Sequence, residues 1–396
     1  MVLNRQPGGL WQHLFVAALC AISASCATSP SAPSSVNPAS GLPSPGQASS
    51  GSHGQAVFHD APRSELECRL AAVGDIMLGG TAAPEMGKYG YDYPFEHTKD
   101  ILNQAQIVFG NLEGPLTDGG ANDTPKKYVF RSPPDKVAPA LARAGFNVVS
   151  LANNHTLDYG PKGLDDTRAA LEKAGIKPVG AGRNVAEART AVYVSCPPPR
   201  GSGFSHDFST KVAFLAYSLT LPEEFWAGVD KPGTAFGHER FIRADVAAAR
   251  EMADIVVVSF HWGQEGKTEL RDYQVQLAHA AIDAGAAAVL GHHPHILQGV
   301  ERYKNGVILY SLGNFAFGSF SNTATRSVVA LLTFRDRQWQ ELRMIPLNVK
   351  NAEVVFQPRP LAGPEAVEVV GHLQQLSQSL GTALENRDGV AVLVAD

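Results

Sequence analysis

Six apolar runs in this chain each end beside residues that can bind a metal ion or transfer a proton. The runs, with the residues that follow them, are 69–73 with Gly74 and Asp75, 107–109 with Asn111 and Glu113, 148–151 with Asn154 and His155, 255–260 with His261, 286–290 with His292, His293 and His295, and 307–312 with Asn314. Runs rich in Val, Ile and Leu are typical of strands buried on both faces. Because ligands bind beyond the carboxyl ends of strands in open α/β sheets, we expect these side chains to share one crevice.

Helical segments alternate with these runs. Helices are predicted over 135–144, 161–174 and 272–284, and an Ala-Gly pair at the end of each leads into an apolar run. Such alternation is typical of a layered α/β fold. Later in the chain the pattern predicts a loop over 196–209, strands over 211–217, 342–349 and 389–394, and a polar helix over 364–384.

The N-terminal residues 1–26 have the features of a signal peptide. Arg5 precedes an apolar stretch over 14–22, and the small residues 23–25 precede Cys26. The apolar stretch is about half of the ~20 residues that a helix needs to cross a bilayer. Small residues before a cysteine resemble the lipobox of bacterial lipoproteins, so lipidation of Cys26 and plain cleavage nearby are both open. Either interpretation predicts an extracytoplasmic protein, and the first also predicts a membrane anchor.

The composition changes after the signal peptide. Residues 27–64 are rich in Ser, Pro, Gly and Ala, which predicts a flexible linker. We predict a main domain over 65–335 and a C-terminal segment over 336–396 that packs on it without contributing chemistry. Cys68 and Cys196 are left over, and in an oxidising compartment they either pair or remain as two buried thiols.

Charge and composition exclude some classes of protein. The hydrophobic fraction of 44% and the charged fraction of 18% indicate a globular chain with enough apolar residues for a core. The net charge is −5, and the sequence contains no run of Lys or Arg. Since binding to phosphate backbones needs a basic stripe, we predict that nucleic acid is not a partner.

The residues at the ends of the runs are suited to a metal site. Residues 291–295 read Gly-His-His-Pro-His, and neutral imidazole is a common ligand of Zn, Mn and Fe. Asp75 and Glu113 add carboxylates, although either one could instead cap a helix. Asn154 adds an amide oxygen. A mixed oxygen and nitrogen set fits a catalytic metal better than a structural cysteine site, so we predict one or two divalent ions of Mn, Fe or Zn.

Several short motifs together resemble one known family. They are Gly-Asp-Ile-Met-Leu at 74–78, Gly-Asn-Leu-Glu-Gly at 110–114, Ala-Asn-Asn-His at 152–155, Asp-Tyr-Gly at 158–160, His-Trp-Gly at 261–263, the His-rich segment 291–295 and Tyr-Ser-Leu-Gly-Asn-Phe at 310–315. In order and spacing, over roughly residues 70–318, they resemble the bacterial poly-γ-glutamate capsule synthesis (CapA-like) family. That family looks like a branch of the calcineurin-like metallophosphoesterases. The resemblance implies an α/β fold, specifically a four-layer α/β/β/α sandwich, with a metal centre at the strand ends.

The resemblance also implies roles for individual residues. Asn154 and His155 match an Asn-His motif in which an amide ligand precedes a general acid. Asn111 stands where the superfamily has a bridging Asp, with Glu113 close by as a substitute. Met77 stands where the superfamily has a ligating His, which leaves a single ion or an altered pair of ions.

The histidine-rich segment leaves its own ligands open. It has one residue more than the superfamily motif Gly-His-x-His, so which two of His292, His293 and His295 bind metal is not decided. The resulting set of predicted metal ligands is Asp75, Asn111, Glu113, Asn154, His261, His292, His293 and His295.

Two further residues are candidates for substrate contacts. Arg131, in Phe-Arg-Ser-Pro-Pro, looks like the family, and a guanidinium near the crevice would hold a carboxylate or phosphate through two hydrogen bonds. An ordinary surface arginine is the alternative. Asn314 either lends a polar group to the site or forms a turn.

Two classes of function fit this pattern. The first is an envelope-anchored, metal-dependent hydrolase-like protein for the biosynthesis or export of an anionic polymer such as poly-γ-glutamate, with His155 protonating the leaving group. A general extracytoplasmic metallophosphoesterase that acts on phosphate-containing substrates is a variant. The second is a non-catalytic module that binds the polymer or subunits of a membrane synthase. Met77 favours the second class, whereas the desolvation cost of unused buried ligands disfavours it.

Overall fold

A computed structural model describes residues 67–122, 126–197 and 209–395 of the 396-residue chain. The predicted signal peptide, Cys26 and the whole of the predicted linker lie outside these residues. Within the described ranges, no helix is both long enough and apolar enough to cross a bilayer.

The strands are β1 (Glu67–Met77), β2 (Ile107–Leu112), β3 (Val148–Ser150), β4 (Lys177–Val179), β5 (Ala181–Gly182), β6 (Val192–Cys196), β7 (Thr210–Ser218), β8 (Gly233–Thr234), β9 (Ile255–His261), β10 (Ala288–His292), β11 (Val300–Tyr303), β12 (Gly306–Leu309), β13 (Asn314–Phe317), β14 (Arg326–Arg335), β15 (Gln338–Asn348), β16 (Arg359–Pro360), β17 (Glu385–Arg387) and β18 (Val390–Val394). The helices are α1 (Ala83–Tyr89), α2 (Lys99–Leu102), α3 (Pro134–Ala144), α4 (Gly160–Lys173), α5 (Val185–Ala188), α6 (Glu239–Met252), α7 (Asp272–Asp283), α8 (Asn351–Val354) and α9 (Gly363–Gln378).

The strands form two large sheets and one small one. The first sheet has the order β17-β18-β15-β14-β1-β2-β3-β4, with β13 paired to β1 and β16 to β15. The second has the order β11-β12-β10-β9-β7-β6, and β5 pairs with β8 separately. The strands β1, β2, β3 and β4 are parallel to one another, as are β7, β9, β10 and β12. Because the strands in each set are parallel, their carboxyl ends lie at the same edge of the sheet. The residues that follow these strands therefore lie close together.

Alternate residues of the first sheet face two different cores. Leu70 and Ala72 of β1 belong to an apolar cluster that also contains Val257 of β9 in the second sheet. Ala71, between them in sequence, belongs to another cluster, together with Leu141 of α3. Because side chains alternate along a strand, one face of this sheet packs on the second sheet and the other on helices.

The second sheet repeats the arrangement on its outer side. Val256 of β9 lies in a third cluster with Ile242 of α6 and Leu277 of α7. These side chains are almost fully buried, and each such burial contributes about 1.5–3 kcal/mol. The order of layers is therefore helices, sheet, sheet, helices, and the predicted four-layer α/β/β/α sandwich is confirmed.

The predicted helices over 135–144, 161–174 and 272–284 correspond to α3, α4 and α7, each within one residue at either end. Helix α3 ends where Gly145 adopts φ 103°, the left-handed conformation typical of a helix C-terminus. The helix predicted over 364–384 is wrong at its end, because α9 stops at Gln378. Gly381 follows with φ 71° in a turn that leads into β17.

The C-terminal part of the chain extends the first sheet. Strands β14 and β15 pair antiparallel along their length, and β15 pairs with β18. The sequence did not identify β14, and the strand predicted over 342–349 begins earlier, at Gln338. The domain boundary predicted after residue 335 falls in this hairpin, and it stays a prediction.

A disulfide joins the two sheets. Cys68 of β1 and Cys196 at the end of β6 are bonded, with their Cα atoms 5.8 Å apart, so the alternative of two free thiols is not realised. Both residues lie in the cluster between the sheets. The bond therefore links the two halves of the sandwich at a separation of 128 residues in sequence.

Removing this bond is expected to destabilise the protein. We expect the double variant Cys68→Ala, Cys196→Ala to unfold with a free energy lower by about 2–4 kcal/mol, because a cross-link over a long loop restricts the unfolded chain. Guanidinium denaturation measures the difference, and reduced wild type provides the control. Identical denaturation midpoints for the oxidised wild type and the variant would contradict this expectation.

Candidate metal centre

The carboxyl ends of strands from both sheets carry the candidate residues. In the first sheet Asp75 of β1 is in register with Asn111 of β2, and Glu113 directly follows β2. In the second sheet His261 of β9 is in register with His292 of β10. Because the strands within each sheet pair in parallel, the side chains at the ends of the apolar runs lie next to one another.

Two glycines allow the backbone segments to approach closely at this edge. A Cβ atom added at Gly74 would lie 1.9 Å from the carbonyl oxygen of Gly313, and one added at Gly291 would lie 1.9 Å from that of Tyr310. No side chain fits at such distances. The close approach lets the Asp75 N–H donate to the Gly313 carbonyl at 3.0 Å, which fixes the backbone next to the site.

Asp75 is fully buried and receives several hydrogen bonds. Its Oδ1 accepts from Asn111 Nδ2 at 2.8 Å, and its Oδ2 accepts from the His293 backbone N–H at 3.2 Å. His295 Nδ1 lies 3.1 Å from Oδ2. Burial alone would raise the pKa of Asp75, but the imidazoles of His292 and His295 outweigh it and hold this pKa well below its usual range. Asp75 is therefore ionised and suited to bind a cation.

Glu113 is buried without a hydrogen-bond partner for either carboxylate oxygen among the described residues. Its Oε1 lies 3.8 Å from His261 Nε2, 3.8 Å from His295 Nε2 and 3.9 Å from His155 Nε2. Burial, together with the charge of Asp75, raises the pKa of Glu113 well above its usual range. A carboxylate without partners that faces several imidazoles at this spacing fits a divalent ion, which ligands approach to about 2.0–2.2 Å.

Two groups of candidate ligands share this carboxylate. Glu113, His261 and His293 form one group, and Asp75, Glu113 and His295 form the other. The ligand atoms within each group lie within 4.8 Å of one another. Glu113 is thus common to both groups, and its carboxylate could contribute a ligand to an ion held by either group.

The three imidazoles of the segment 291–295 are not equivalent. His293 and His295 belong to candidate groups, whereas His292 belongs to none of those found in the described ranges. Neither nitrogen of His292 has a hydrogen-bond partner in the described part of the chain, although its Nδ1 lies 3.4 Å from Asp75 Oδ1. His293 and His295 have φ 94° and 60°, which is rare outside glycine and is typical of strained loops at functional sites. The geometry therefore favours His293 and His295 as ligands.

The remaining predicted ligands surround His261. Asn154 Oδ1 lies 2.8 Å from His261 Nε2, and His293 Nδ1 lies 3.1 Å from the same atom. The Asn111 side chain donates to Asp75 and accepts from Asn153 Nδ2 at 3.1 Å. Burial holds the pKa of His261 well below its usual range and that of His293 at about 3, so both rings are neutral, the form that binds metal.

His155 is oriented by two residues for which no role was predicted from the sequence. Its Nδ1 lies 2.6 Å from Asp158 Oδ2, and Lys126 Nζ donates to Asp158 Oδ1 at 2.6 Å and to the Asn154 carbonyl. Burial lowers the pKa of His155 despite the hydrogen bond to Asp158. Asp158 lies in the family-like motif 158–160 and was therefore detectable. Lys126 belongs to a polar loop with no recognisable pattern.

The two predicted substrate contacts differ in position. Asn314 Oδ1 lies 2.9 Å from His295 Nδ1, so Asn314 borders the candidate ligands. Arg131 is exposed, and its guanidinium lies over the Tyr159 ring at 4.8 Å. Within the described part of the chain, Arg131 has no side-chain hydrogen bond or ion pair. The structure therefore brings Asn314, but not the Arg131 guanidinium, into contact with the cluster.

A cleft of about 540 Å³ opens onto the centre. His155 and His295 line its inner end, and Glu265, a residue that the sequence analysis did not identify, lies on the same wall. Aromatic rings and hydroxyl groups form much of the rest, from Tyr128, Phe130, Phe317, Phe320, Thr81, Ser319, Ser321 and Thr323. The centre is therefore accessible to a substrate from one side.

Metal binding is expected to release protons. Burial lowers the pKa of His295, but the charges of Glu113 and Asp75 outweigh burial and raise it to about 10. At pH 7.5 His295 therefore carries a proton that a metal must displace, and the raised pKa of Glu113 adds to the protons that can be released, so we expect release of at least about one proton per chain. Titration calorimetry in buffers of different ionisation enthalpy measures this number, and His295→Gln should reduce it. Binding heats that are independent of the buffer would contradict the expectation.

Comparison with known proteins gives consistent matches. The profile of a family described as "Bacterial capsule synthesis protein PGA_cap" matches residues 69–319. Capsule biosynthesis protein CapA of Bacillus anthracis is 34% identical over 315 residues, which cover 78% of this chain and 72% of that protein. PGA biosynthesis protein CapA of Bacillus subtilis (strain 168) is 33% identical over 280 residues, covering 71% of each. The solved structure of calcineurin-like phosphoesterase YfkN from Bacillus subtilis matches with a TM-score of 0.43 and 15% identity, covering 70% of this chain and 88% of that one.

Proposed function

This chain belongs to the bacterial capsule synthesis protein family PGA_cap, and we propose that it is a metal-dependent hydrolase of capsule or poly-γ-glutamate biosynthesis. The observation that carries the proposal is Glu113, a buried carboxylate without hydrogen-bond partners among the described residues that faces imidazoles at 3.8–3.9 Å. An isolated buried carboxylate is costly, and a bound cation removes that cost.

The residues that would hold the ion are the two groups that share Glu113. Asp75, His293 and His295 would contribute alongside Glu113 and His261, and the Asn154 amide oxygen lies next to them. The metal would be Mn, Fe or Zn, since carboxylate, amide and imidazole ligands suit these ions. When bound, such an ion acts as a Lewis acid and activates water at neutral pH.

The protein's own residues would handle the proton and the substrate. Asp158 accepts a hydrogen bond from His155 Nδ1, which leaves Nε2 to exchange a proton with the leaving group at the inner end of the cleft. Lys126 holds Asp158 and the Asn154 backbone in place. Arg131, whose guanidinium lies over Tyr159, would have to change its side-chain conformation to meet a carboxylate or phosphate of the substrate.

The proposed location is the outer side of the membrane, with an anchor at Cys26 and a tether over 27–64. The disulfide between Cys68 and Cys196 supports an oxidising compartment, because such bonds are rare in the cytosol. The proposed partners are an anionic polymer or phosphate-containing substrate and, at the membrane, subunits of a synthase.

Hydrolysis assays test this function. The purified chain is incubated with bis-p-nitrophenyl phosphate and, separately, with poly-γ-glutamate, before and after chelation and after addition of Mn²⁺. We expect turnover of at least one substrate, its loss on chelation and its recovery with Mn²⁺. Turnover that survives complete removal of metal would refute the metal-dependent mechanism.

A non-catalytic binding role is the second candidate. Met77 is buried next to Gly80 and Gly114 near the end of β1, and its thioether is a poor ligand for hard metals. In this case the chain would bind metal and polymer without turnover. Poly-γ-glutamate binding without hydrolysis of either substrate would favour this candidate over the first.

A further inference from the structure

A second cavity, with a volume of about 400 Å³, adjoins the cleft that opens onto the centre. Gly266, Ile296 and Thr323 line both spaces, so these three residues form a shared wall. Ile296 directly follows His295 in the chain, and the Gly266 N–H donates to the Pro294 carbonyl at 2.9 Å. The second cavity therefore begins beside the histidine-rich segment.

Most of the remaining lining of this cavity comes from late in the chain. These residues are Thr325, Arg326, Glu368, Val369 and His372. Arg326 begins β14, and the last three residues lie on α9, in the C-terminal segment for which no chemistry was predicted. All five follow residue 319, where the match to the capsule synthesis profile ends. This part of the cavity therefore lies outside the region that the profile describes.

Arg326 gives the second cavity a basic group. Its side chain is half-buried, and no other Lys or Arg from the described ranges lines the cavity. Its Nη1 donates to the Thr325 carbonyl at 3.4 Å, and its guanidinium forms no ion pair with a carboxylate among the described residues. The guanidinium therefore keeps donors for two parallel hydrogen bonds to a carboxylate or phosphate.

The cleft itself offers no such group to an anionic substrate. No Lys or Arg from the described ranges lines the cleft, and the carboxylate residue Glu265 lies on its wall. Because the two spaces share a wall, one extended molecule with repeated anionic groups can occupy both. A second contact made by the same molecule raises its overall affinity without any change at the first contact.

We propose that the second cavity is a binding subsite for an anionic polymer, and that Arg326 holds one of the polymer's carboxylates there. This inference rests on the proposed function, and it specifies the substrate class as a chain with repeated carboxylates, such as poly-γ-glutamate. Glu368, which is exposed and lines the same cavity, repels such a ligand. Loss of the charge of Arg326 and loss of that of Glu368 should therefore change the affinity for the polymer in opposite directions.

Binding of fluorescently labelled poly-γ-glutamate to the full-length chain tests the proposal. Fluorescence anisotropy is measured after chelation of metal, so that metal-dependent turnover does not consume the polymer. We expect Arg326→Gln to weaken binding by at least about 10-fold, the effect of losing a hydrogen bond between charged groups. Glu368→Gln should tighten binding by about 2–5-fold, because it removes an exposed like charge.

Arg359→Gln is the matched control, because it removes the same charge close to Arg326 but outside both cavities. Arg326 of β14 and Arg359 of β16 are both in register with Asn348 of β15. Arg359 is exposed, and its guanidinium donates to Gln357 Oε1 at 3.3 Å. This control should bind the polymer as wild type does. Arg326→Lys keeps the charge but not the two parallel hydrogen bonds, so its affinity should lie between those of wild type and Arg326→Gln.

The outcomes separate this inference from the proposed function. If Arg326→Gln binds as wild type does, or if it and Arg359→Gln weaken binding equally, the subsite is refuted and the metal centre stands. Should Arg326→Gln fail to fold, unchanged or weaker binding by Glu368→Gln would refute the subsite instead. If wild type does not bind the polymer, the subsite is also refuted, whereas Mn²⁺-dependent hydrolysis of bis-p-nitrophenyl phosphate would still support the metal-dependent function.

Discussion

Replacing Glu113 by Gln is expected to abolish metal binding at the buried position and to lower kcat/KM by more than about 100-fold. Both groups of buried candidate ligands share this carboxylate, so its loss removes a charged ligand from each. Substitutions outside the ligand set already cost about 10–100-fold in metal affinity or activity, and loss of a shared ligand should exceed that range. Metal content by mass spectrometry and steady-state kinetics measure the two effects.

The same variant should be more stable than wild type when no metal is present. The pKa of Glu113 is raised by burial, so its contribution to stability is present below its unfolded value of 4.5 and is lost as the pH rises through the folded pKa. Gln removes this pH-dependent loss. We expect the metal-free variant to have a higher Tm than wild type at neutral pH, because Gln carries no charge that burial must desolvate. Thermal unfolding without Mn²⁺ should show the higher Tm of the variant. Unfolding with Mn²⁺ should show that the variant lacks the metal-induced shift in Tm.

Glu67→Gln is the matched control for burial of a carboxylate. Glu67 is also buried, but it pairs with Arg69 at 2.7 Å and with Arg335 at 3.0 Å. Its replacement should destabilise the protein and leave the Mn²⁺-induced shift in Tm intact. If Glu113→Gln behaved in the same way as Glu67→Gln, the assignment of Glu113 as a metal ligand would be wrong.

Replacing His155 by Gln is expected to lower kcat by about 10²–10⁴-fold while the metal content is unchanged. In the proposed mechanism His155 transfers a proton, and it belongs to no candidate ligand group found among the described residues. Activity that needs the protonated ring declines as the pH rises through the His155 pKa, which burial holds below 6.5. The variant should lose this limb of the pH–rate profile. Kinetics across pH, together with metal analysis of the same samples, provide the measurement.

His279→Gln controls for the loss of a histidine that has a carboxylate partner. His279 Nε2 lies 2.9 Å from Glu301 Oε1, and its ring stacks on Tyr303 at 3.6 Å, outside the candidate groups. Its replacement should leave kcat and the pH profile unchanged. A His155→Gln protein that lost its metal together with its activity would show that His155 is a ligand and not a proton donor.

The sequence predicts the buried strands, the helices and the strand ends because these follow from local pattern. The apolar run 255–260 is long and Val-rich, so it fits only a buried strand, and His261 must then stand at the strand end. Pro161 and Gly175 mark the limits of α4 within one residue. The four-layer arrangement was predicted from the order of the family-like motifs. Hydrophobic periodicity alone does not distinguish this arrangement from other α/β folds.

The remaining features depend on contacts between distant segments. The choice among His292, His293 and His295 follows from which imidazole nitrogens lie near the carboxylates and from backbone φ angles, and neither has a sequence signal. Glu265 lines the cleft in a loop where the Gly266 N–H donates to the Pro294 carbonyl, a contact with no sequence signal. For the same reason Arg131, which a motif placed at the site, lies over Tyr159 at a distance from the ligands.

Anomalous X-ray diffraction from crystals grown with Mn²⁺ tests the central claim most directly. We expect an anomalous peak within about 2.0–2.6 Å of a Glu113 carboxylate oxygen, the range of metal–oxygen bonds in proteins. The same peak should lie within bonding distance of His261 and His293 or of Asp75 and His295. A fully ordered site without a peak near Glu113, at saturating Mn²⁺, would contradict the assignment of this cluster as a metal centre.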